Sequence, residues 1–374
     1  MMDLNKKTIN LYQLAVCVAT PFLGIRSLSL TREIAVRIGQ DVWIGIALGC
    51  LIATFLSYVA YKATQMFPSK TIIEVNEHVL GKYLGKLISL LMISTILGIS
   101  ALNARLFVDV IKAFLLPLTP IEILLILMLA TTTYLIPFGL AAMIRIYEIF
   151  VPIVIMFYIA LIIFAVGIAD FGNLFPILHR NPIEILSAVP NIMPAFLSVG
   201  IIYFVMPQVK QSDKAYPYIL SAMLICTGIT VIINILAVIV LGDSLTHYMY
   251  PFVVLTYAVE FQQSFLERID ILFMVMWFLA AFNMLSLMKY WAANSICQVT
   301  GLQSPLLVVI LISPLLYMIS IYPENIMELT KLLQIISPIV AIATVILPLA
   351  IALFALIRGM KEVSDEANQG KKQN

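Results

Sequence analysis

Apolar residues fill this chain in long blocks, and the polar stretches between them are short. A helix needs about 20 mostly apolar residues to cross a bilayer core of roughly 30 Å. On that measure the pattern predicts ten spans, at residues 10–37, 41–66, 86–116, 120–138, 145–168, 183–207, 215–241, 266–296, 304–321 and 331–357. The longest connections, 67–85, 170–182 and 242–265, leave no room for a soluble domain. The expected architecture is an all-α polytopic membrane domain over residues 1–358, followed by a disordered cytoplasmic tail at 359–374. The segment before the first span ends in Lys6-Lys7 and carries no cleavage pattern, so the first hydrophobic run is expected to be retained.

Two blocks are interrupted. Pro21 and Gly24 fall near the middle of the first, and in the sixth Pro190-Asn191-Ile192-Met193-Pro194 is followed by Ser198-Val199-Gly200. Proline removes a helix donor and clashes with the preceding turn, and glycine loosens the backbone. In lipid the freed peptide groups need new partners. Spans one and six open two five-span halves, about 10–168 and 183–357, so the interruptions sit at matching places. That is the pattern of a 5+5 inverted-repeat transporter of the LeuT/APC type, with its site at the breaks. Ordinary kinks would show the same residues, since Pro and Gly are common in membrane helices.

Composition narrows the classes further. The 374 residues are 62% hydrophobic and 11% charged, with a mean hydropathy of +1.05. A soluble domain has roughly 45–50% apolar and about 25% charged residues. A soluble enzyme, a disordered protein and a nucleic-acid binder are excluded. Lys plus Arg (22) nearly balances Asp plus Glu (20), so only the distribution of charge informs. With the N-terminus inside, fourteen of the 22 basic residues fall on the inner side, which predicts cytoplasmic termini. Cys17, Cys50, Cys226 and Cys297 are scattered and read as free, packed thiols. His78, His179 and His247 lack ligand spacing, so no metal or cofactor is expected. No nucleophile–base pair or nucleotide loop stands out.

The candidate chemistry gathers at the breaks. Peptide N–H groups opening an outer half-helix make an anion site. Thr20, Phe22, Leu23 and Gly24 would line it, with an α-carboxylate as guest. Arg26 either clamps that carboxylate, pairs with Glu33 or snorkels outward. At the second break Ser198, Val199 and Gly200 would supply carbonyls, and Phe196 and Tyr203 would shape a side-chain pocket. Span three carries Asn103 and the i,i+4 pair Arg105–Asp109, which either gates the outer vestibule or ties the span to a neighbour. Glu267, Arg268 and Asp270 open span eight, as a helix cap or as an outer gate. Deeper in that span Asn283 and Ser286 share a face expected to point at span one, either as an amino-group or ion site or as helix–helix glue. Lys289 is expected to snorkel. Span six has no acidic residue between Glu184 and Asp213, which favours a neutral amino acid over a cationic one. Residues 67–86, with Lys70, Glu74, Glu77, Lys82 and Lys86, read as a cytoplasmic surface helix facing anionic lipid or a partner.

Several short segments, in fixed order, carry a family resemblance. They are Gly39-Gln40-Asp41-Val42-Trp43-Ile44, Phe67-Pro68-Ser69-Lys70-Thr71-Ile72-Ile73-Glu74, Leu80-Gly81-Lys82-Tyr83-Leu84-Gly85-Lys86, Phe171-Gly172-Asn173-Leu174-Phe175-Pro176-Ile177-Leu178, Leu266-Glu267-Arg268-Ile269-Asp270 with Trp277, Ala292-Ala293-Asn294 and Tyr322-Pro323. Together they are similar to the B subunit of spore germinant receptors, the GerAB family of spore germination permeases in the amino acid–polyamine–organocation superfamily. The resemblance implies a complex with A and C subunits in the spore inner membrane. It also implies a nutrient germinant, often an amino acid, held by this subunit, with ion release as the response. The chain departs from the family pattern at Arg26, where a small residue is usual, at Thr31, where proline is frequent, and at Ile201, where an acidic residue is common. Three classes compete: a ligand-sensing receptor subunit, a cation-coupled amino-acid permease, and a scaffold with a vestigial site. The deep charges seen in the sequence, Arg26 and Arg105, do not release protons near neutrality, which counts against proton coupling.

Overall fold

The structure, a computed structural model, describes residues 8–24, 27–262 and 269–360. Asn10 starts the first helix with a capping box: its side chain accepts from the Gln13 N–H at 2.7 Å, and the Gln13 side chain accepts from the Asn10 N–H at 3.1 Å. The helices are α1 (Leu11–Leu23), α2 (Ser27–Ile38), α3 (Val42–Thr64), α4 (Ile72–Leu80), α5 (Lys82–Phe114), α6 (Ile121–Tyr134), α7 (Gly139–Val166), α8 (Pro182–Ala188), α9 (Met193–Val205), α10 (Tyr216–Leu241), α11 (Pro251–Gln262), α12 (Ile269–Thr300), α13 (Pro305–Ile321), α14 (Ile326–Ala341) and α15 (Leu347–Ile357). A π-turn at Ile342–Ile346 joins the last two. Among the described residues the only extended pairing is one parallel bridge between Ile9 and Val209.

Five helical runs are long and apolar enough to cross a membrane: Ser27–Thr64, Lys82–Phe114, Ile121–Val166, Tyr216–Thr246 and Ile326–Ile357. Two bent pairs raise the number to as many as seven. This is an integral membrane protein built of helices. Two of the five runs contain a glycine of positive φ, Gly39 (φ +62) and Gly139 (φ +77). Glycine takes this left-handed backbone without a Cβ penalty.

Both interrupted spans are broken, but at shifted positions. Pro21 stays inside α1, and the helix ends at Leu23; the Gly24 N–H reaches back to the Pro21 carbonyl at 3.4 Å. The second break lies at Val189–Ile192, not at Ser198–Gly200. Pro190 sits in a 3-10 turn, and Ile192 leaves helical geometry at ψ 58. Ser198, Val199 and Gly200 are continuous helix within α9. A lone glycine does not break a helix when a neighbour uses its missing side chain, and a Cβ on Gly200 would meet the Thr344 Cβ at 2.8 Å. Two further expectations change. Lys82 to Lys86 belong to the first turns of α5, not to the surface helix, which is α4 alone. The connection at 242–265 contains a helix, α11, that its moderate hydrophobicity did not announce.

The long helices pack on one another in pairs. α3 lies against α10, α5 against α12 and α1 against α9. Further pairs are α1–α10 and α3–α9, α5–α14 and α7–α12, and α5–α13 and α6–α12.

Close approach to α3 depends on small residues. Gly45, Gly49, Ala53 and Ser57 recur every fourth position and are all buried. A Cβ on Gly49 would collide with the Ile192 side chain at the second break. Small residues at such spacing let helices in lipid gain dispersion energy at short range. Gly49→Val is therefore expected to lower stability by about 1–3 kcal/mol through overpacking. Gly228→Ala, which meets nothing within 4 Å, is expected to be neutral or slightly stabilising. Thermal unfolding of the detergent-solubilised protein checks both.

Candidate functional site

The two breaks meet. Phe22 and Leu23 at the end of α1, Ser27 at the start of α2, and Ile192 and Ala195 at the second break line one cavity. Tyr158 of α7, Thr230 and Asn234 of α10 and Phe252 of α11 complete its wall. Its free volume is about 20 Å³, close to what one water occupies. The polar groups around it are neutral. Ser27 Oγ donates to the Gly24 carbonyl at 2.8 Å, covering an acceptor that the break exposes. Asn234 Nδ2 donates to the Thr230 carbonyl at 2.8 Å, while its Oδ1 is buried without a partner.

On its other side the first break abuts α12. A Cβ on Gly24 would strike the Met284 side chain, so the backbone there sits directly on α12. Asn283, next to Met284, is 3% exposed, and its Nδ2 has no partner among the described residues. Asn103 on α5 is fully buried, and both of its amide atoms likewise lack partners among them. These two asparagines lie at similar depth. Lys86 Nζ donates to the Val299 carbonyl at 2.7 Å at one end of the α5–α12 pair, and Phe107 stacks on Trp277 at 5.5 Å at the other. The helices are thus antiparallel. Counting from Phe107 and from Trp277 leaves Asn103 and Asn283 within about 3 Å along the axis. A buried amide without a hydrogen bond is costly, which makes such a group a candidate for ligand contact.

Other expected residues do different work. Thr20 donates its hydroxyl to its own helix, at the Val16 carbonyl (3.0 Å), and Ser286 does the same to Phe282 (2.9 Å). Phe196, Ser198, Val199 and Gly200 are buried on α9 but do not line the cavity between the breaks. Tyr203 lines a small recess with Phe67, Lys70 and Pro348 instead of the break. Arg105 bonds Asp109 at 3.1 Å and donates to the Ser320 and Ile321 carbonyls at 3.2 and 3.4 Å. The Ser320 hydroxyl returns a bond to the Ala101 carbonyl at 2.9 Å. This pair fastens α5 to the end of α13. Arg26, Glu267 and Arg268 lie outside the described residues.

Lys289 does not snorkel. It is 1% exposed, and its Nζ donates to the Leu129 carbonyl (2.9 Å), Thr132 Oγ1 (3.1 Å) and Thr133 Oγ1 (2.7 Å) of α6. Both threonine hydroxyls donate one turn back, to the Met128 and Leu129 carbonyls at 2.7 Å each. Their lone pairs are left for the ammonium, which finds three acceptors for three protons. The Thr131-Thr132-Thr133 run in span four was the signal for this cage. Likewise Asn234, the one asparagine of α10, was the overlooked signal for the cavity wall.

Comparison with solved structures fixes the class. The chain resembles MhsT, solved in complex with L-phenylalanine, with a TM-score of 0.71 over 93% of this chain and 89% of that one at 14% identity. It resembles Mhp1, a nucleobase-cation-symport-1 family transporter in a closed conformation with bromovinylhydantoin bound, with a TM-score of 0.60 over 87% and 75% at 15% identity. The fold is that of the LeuT-type transporters. Residues 8–329 match the family described as Spore germination protein, and the chain belongs to that family. It is 25% identical to spore germination protein YndE of Bacillus subtilis (strain 168), over 84% of this chain and 86% of that protein. Its relatives are the GerAB-type spore germination proteins.

The Lys289 cage predicts an asymmetric pair of mutants. Thr132→Val with Thr133→Val strips the ammonium of two acceptors and is expected to cost about 3 kcal/mol or more. Lys289→Met removes the charge itself and is expected to stay within about 1 kcal/mol of the native protein. Combining all three changes should recover most of the loss, read from unfolding midpoints in detergent.

Proposed function

We propose that this chain is the ligand-sensing B subunit of a spore germinant receptor, and that it holds a small neutral amino acid between its two broken spans. One observation carries the reading: both breaks line the same buried cavity, with neutral polar groups on its wall and no charged residue among the described ones. The solute would contact Phe22, Leu23, Gly24 and Ser27 at the first break and Ile192 at the second. Tyr158 and Asn234 would stand across the cavity, and Asn103 and Asn283 on the α5–α12 side. Arg26, beside the first break, is assigned to the solute carboxylate. A lining without acidic residues favours a zwitterion with an uncharged side chain. MhsT, of the same fold, is the precedent for an aromatic amino acid as guest.

The proposed architecture is a ten-span, 5+5 inverted repeat in one domain. The positive-φ glycines at 39 and 139, where two of the long runs would divide, and the helix pairings, which would survive exchange of the two halves, both support it. The proposed setting is the spore inner membrane, with cytoplasmic termini and A and C subunits as partners. Family membership and the charge bias support that setting.

A cavity of about 20 Å³ is smaller than any amino acid, so binding requires the bundle to open. The contact assigned to closure is a set of backbone hydrogen bonds. The Thr8 and Ile9 N–H groups donate to the Gln208 carbonyl at 2.9 and 3.0 Å, and the Lys210 N–H donates to the Ile9 carbonyl at 2.8 Å. These bonds tie the start of α1 to the segment after α9, the two helices whose breaks flank the cavity. A ligand that binds the open and closed forms unequally shifts their balance, and this shift is the proposed signal. Lys289 favours a second reading, a cation-coupled amino-acid permease, because it places a proton-carrying group inside the bundle.

Spores carrying Asn234→Leu or Asn283→Leu are expected to need about tenfold more amino acid to germinate, the equivalent of one lost hydrogen bond. Unchanged dose–response curves for both variants over an amino-acid panel would end the cavity reading. Ile9→Cys with Val209→Cys is expected to cross-link and block germination until reduced. Uptake of labelled amino acid into vesicles holding this chain alone would favour the permease.

A further inference from the structure

All three cation–ring contacts among the described residues fall at one corner of the protein. Lys62 Nζ lies 5.6 Å from the centre of the Tyr58 ring, Lys70 Nζ 5.6 Å from Phe67, and the Arg358 guanidinium 4.2 Å from Phe354. The first pair is on the last turns of α3, the second on the α3–α4 connection, and the third at the end of α15. Phe67 belongs to a small apolar cluster with Ile351 and Ala355, which brings these ends together. None of the three cations has a carboxylate within ion-pair distance among the described residues. Aromatic rings hold the cation stems in place and leave the charges facing outward.

A groove of about 610 Å³ runs beside this corner, between α3 and α15. Its walls are Val59, Ala63, Ile346, Leu349 and Leu353, and Lys62 is its one polar lining residue. Alanines at 63, 350 and 352 hollow it. Both helices belong to runs able to cross a membrane, so the occupant lies at membrane depth. We propose that this groove is a binding site for an anionic phospholipid. One acyl chain lies between α3 and α15, the phosphate rests on Lys62, and Lys70 and Arg358 strengthen the field around it.

The chemistry selects the headgroup. An apolar slot accepts any acyl chain. Lys62 in the lining, with Lys70 and Arg358 at the same corner, favours a lipid with net negative charge over a zwitterion, whose own ammonium would face them. The site also reaches the bundle interior. Ile346, in the groove wall, ends the π-turn whose Thr344 sits against Gly200 of α9, the helix that follows the second break. An occupied groove therefore braces the span that carries the break. The proposal stands whether or not the germinant reading holds.

The test uses the full chain in detergent, titrated with phosphatidylglycerol and phosphatidylcholine of identical acyl chains, with retained lipid counted by native mass spectrometry. Phosphatidylglycerol is expected to be held about tenfold more tightly. Lys62→Gln with Arg358→Gln should erase that preference and leave phosphatidylcholine unchanged, while Lys62→Arg keeps it. Ala350→Phe fills the groove and should weaken both lipids. Unfolding midpoints confirm that each variant is folded. Equal retention of the two lipids by the native chain overturns the proposal, as does a preference that survives the double charge change. Ala350→Phe without effect places the lipid on the outer surface and also overturns it. A dimer in lipid-free detergent that Ala350→Phe dissolves would make a second copy the occupant instead.

Discussion

Peptide groups inside a bilayer have no water to turn to, and this constraint shapes the protein more than any side chain does. A helix satisfies them along its length, so each interruption must be answered locally. At the first break Ser27 covers the Gly24 carbonyl, and the Gly24 backbone presses against Met284. At the second, Pro190 and the 3-10 turn give up few donors, and Ile192 fills the space left by Gly49. What remains between them is a mostly apolar hollow of about one water's size, with the hydroxyls of Ser27, Tyr158 and Thr230 and the Asn234 amide on its wall.

Charge in the interior follows the same logic. A buried cation without a partner costs several kcal/mol. Arg105 meets that cost with a carboxylate and two carbonyls at the end of α13. Lys289 meets it with neutral oxygens only, held in the right sense because the threonine hydroxyls have already given their protons to the main chain of α6. Both cations fasten long helices of the bundle to their neighbours. The Asn103 amide, the Asn234 Oδ1 and the Asn283 Nδ2 are different in kind, since nothing among the described residues satisfies them.

Much of the fold was legible in one dimension because hydrophobic length is dictated by bilayer thickness. The block pattern gave most of the helices, and prolines with nearby glycines gave the interrupted spans. The positions of the breaks were less legible. Pro21 stays helical and Gly200 does not unwind, because a proline in the last turn of a helix and a glycine under a close neighbour are both tolerated once packing is known. Of the candidate site, Phe22, Leu23 and Gly24 were found from the break itself. Asn103 and Asn283 were found as polar residues in apolar spans. Tyr158, Thr230 and Asn234 were not, since nothing local distinguishes a wall residue from a core residue.

The sequence by itself determined that this is a helical membrane protein with two broken spans and a family kinship, because those properties depend on local composition and on neighbours along the chain. Tertiary structure alone decided that the breaks share one cavity, that Lys289 turns inward to the threonines of α6, and that the start of α1 is tied to the segment after α9. Each of those facts joins residues over a hundred positions apart. Their contact energies depend on distance in space, which spacing in sequence does not encode.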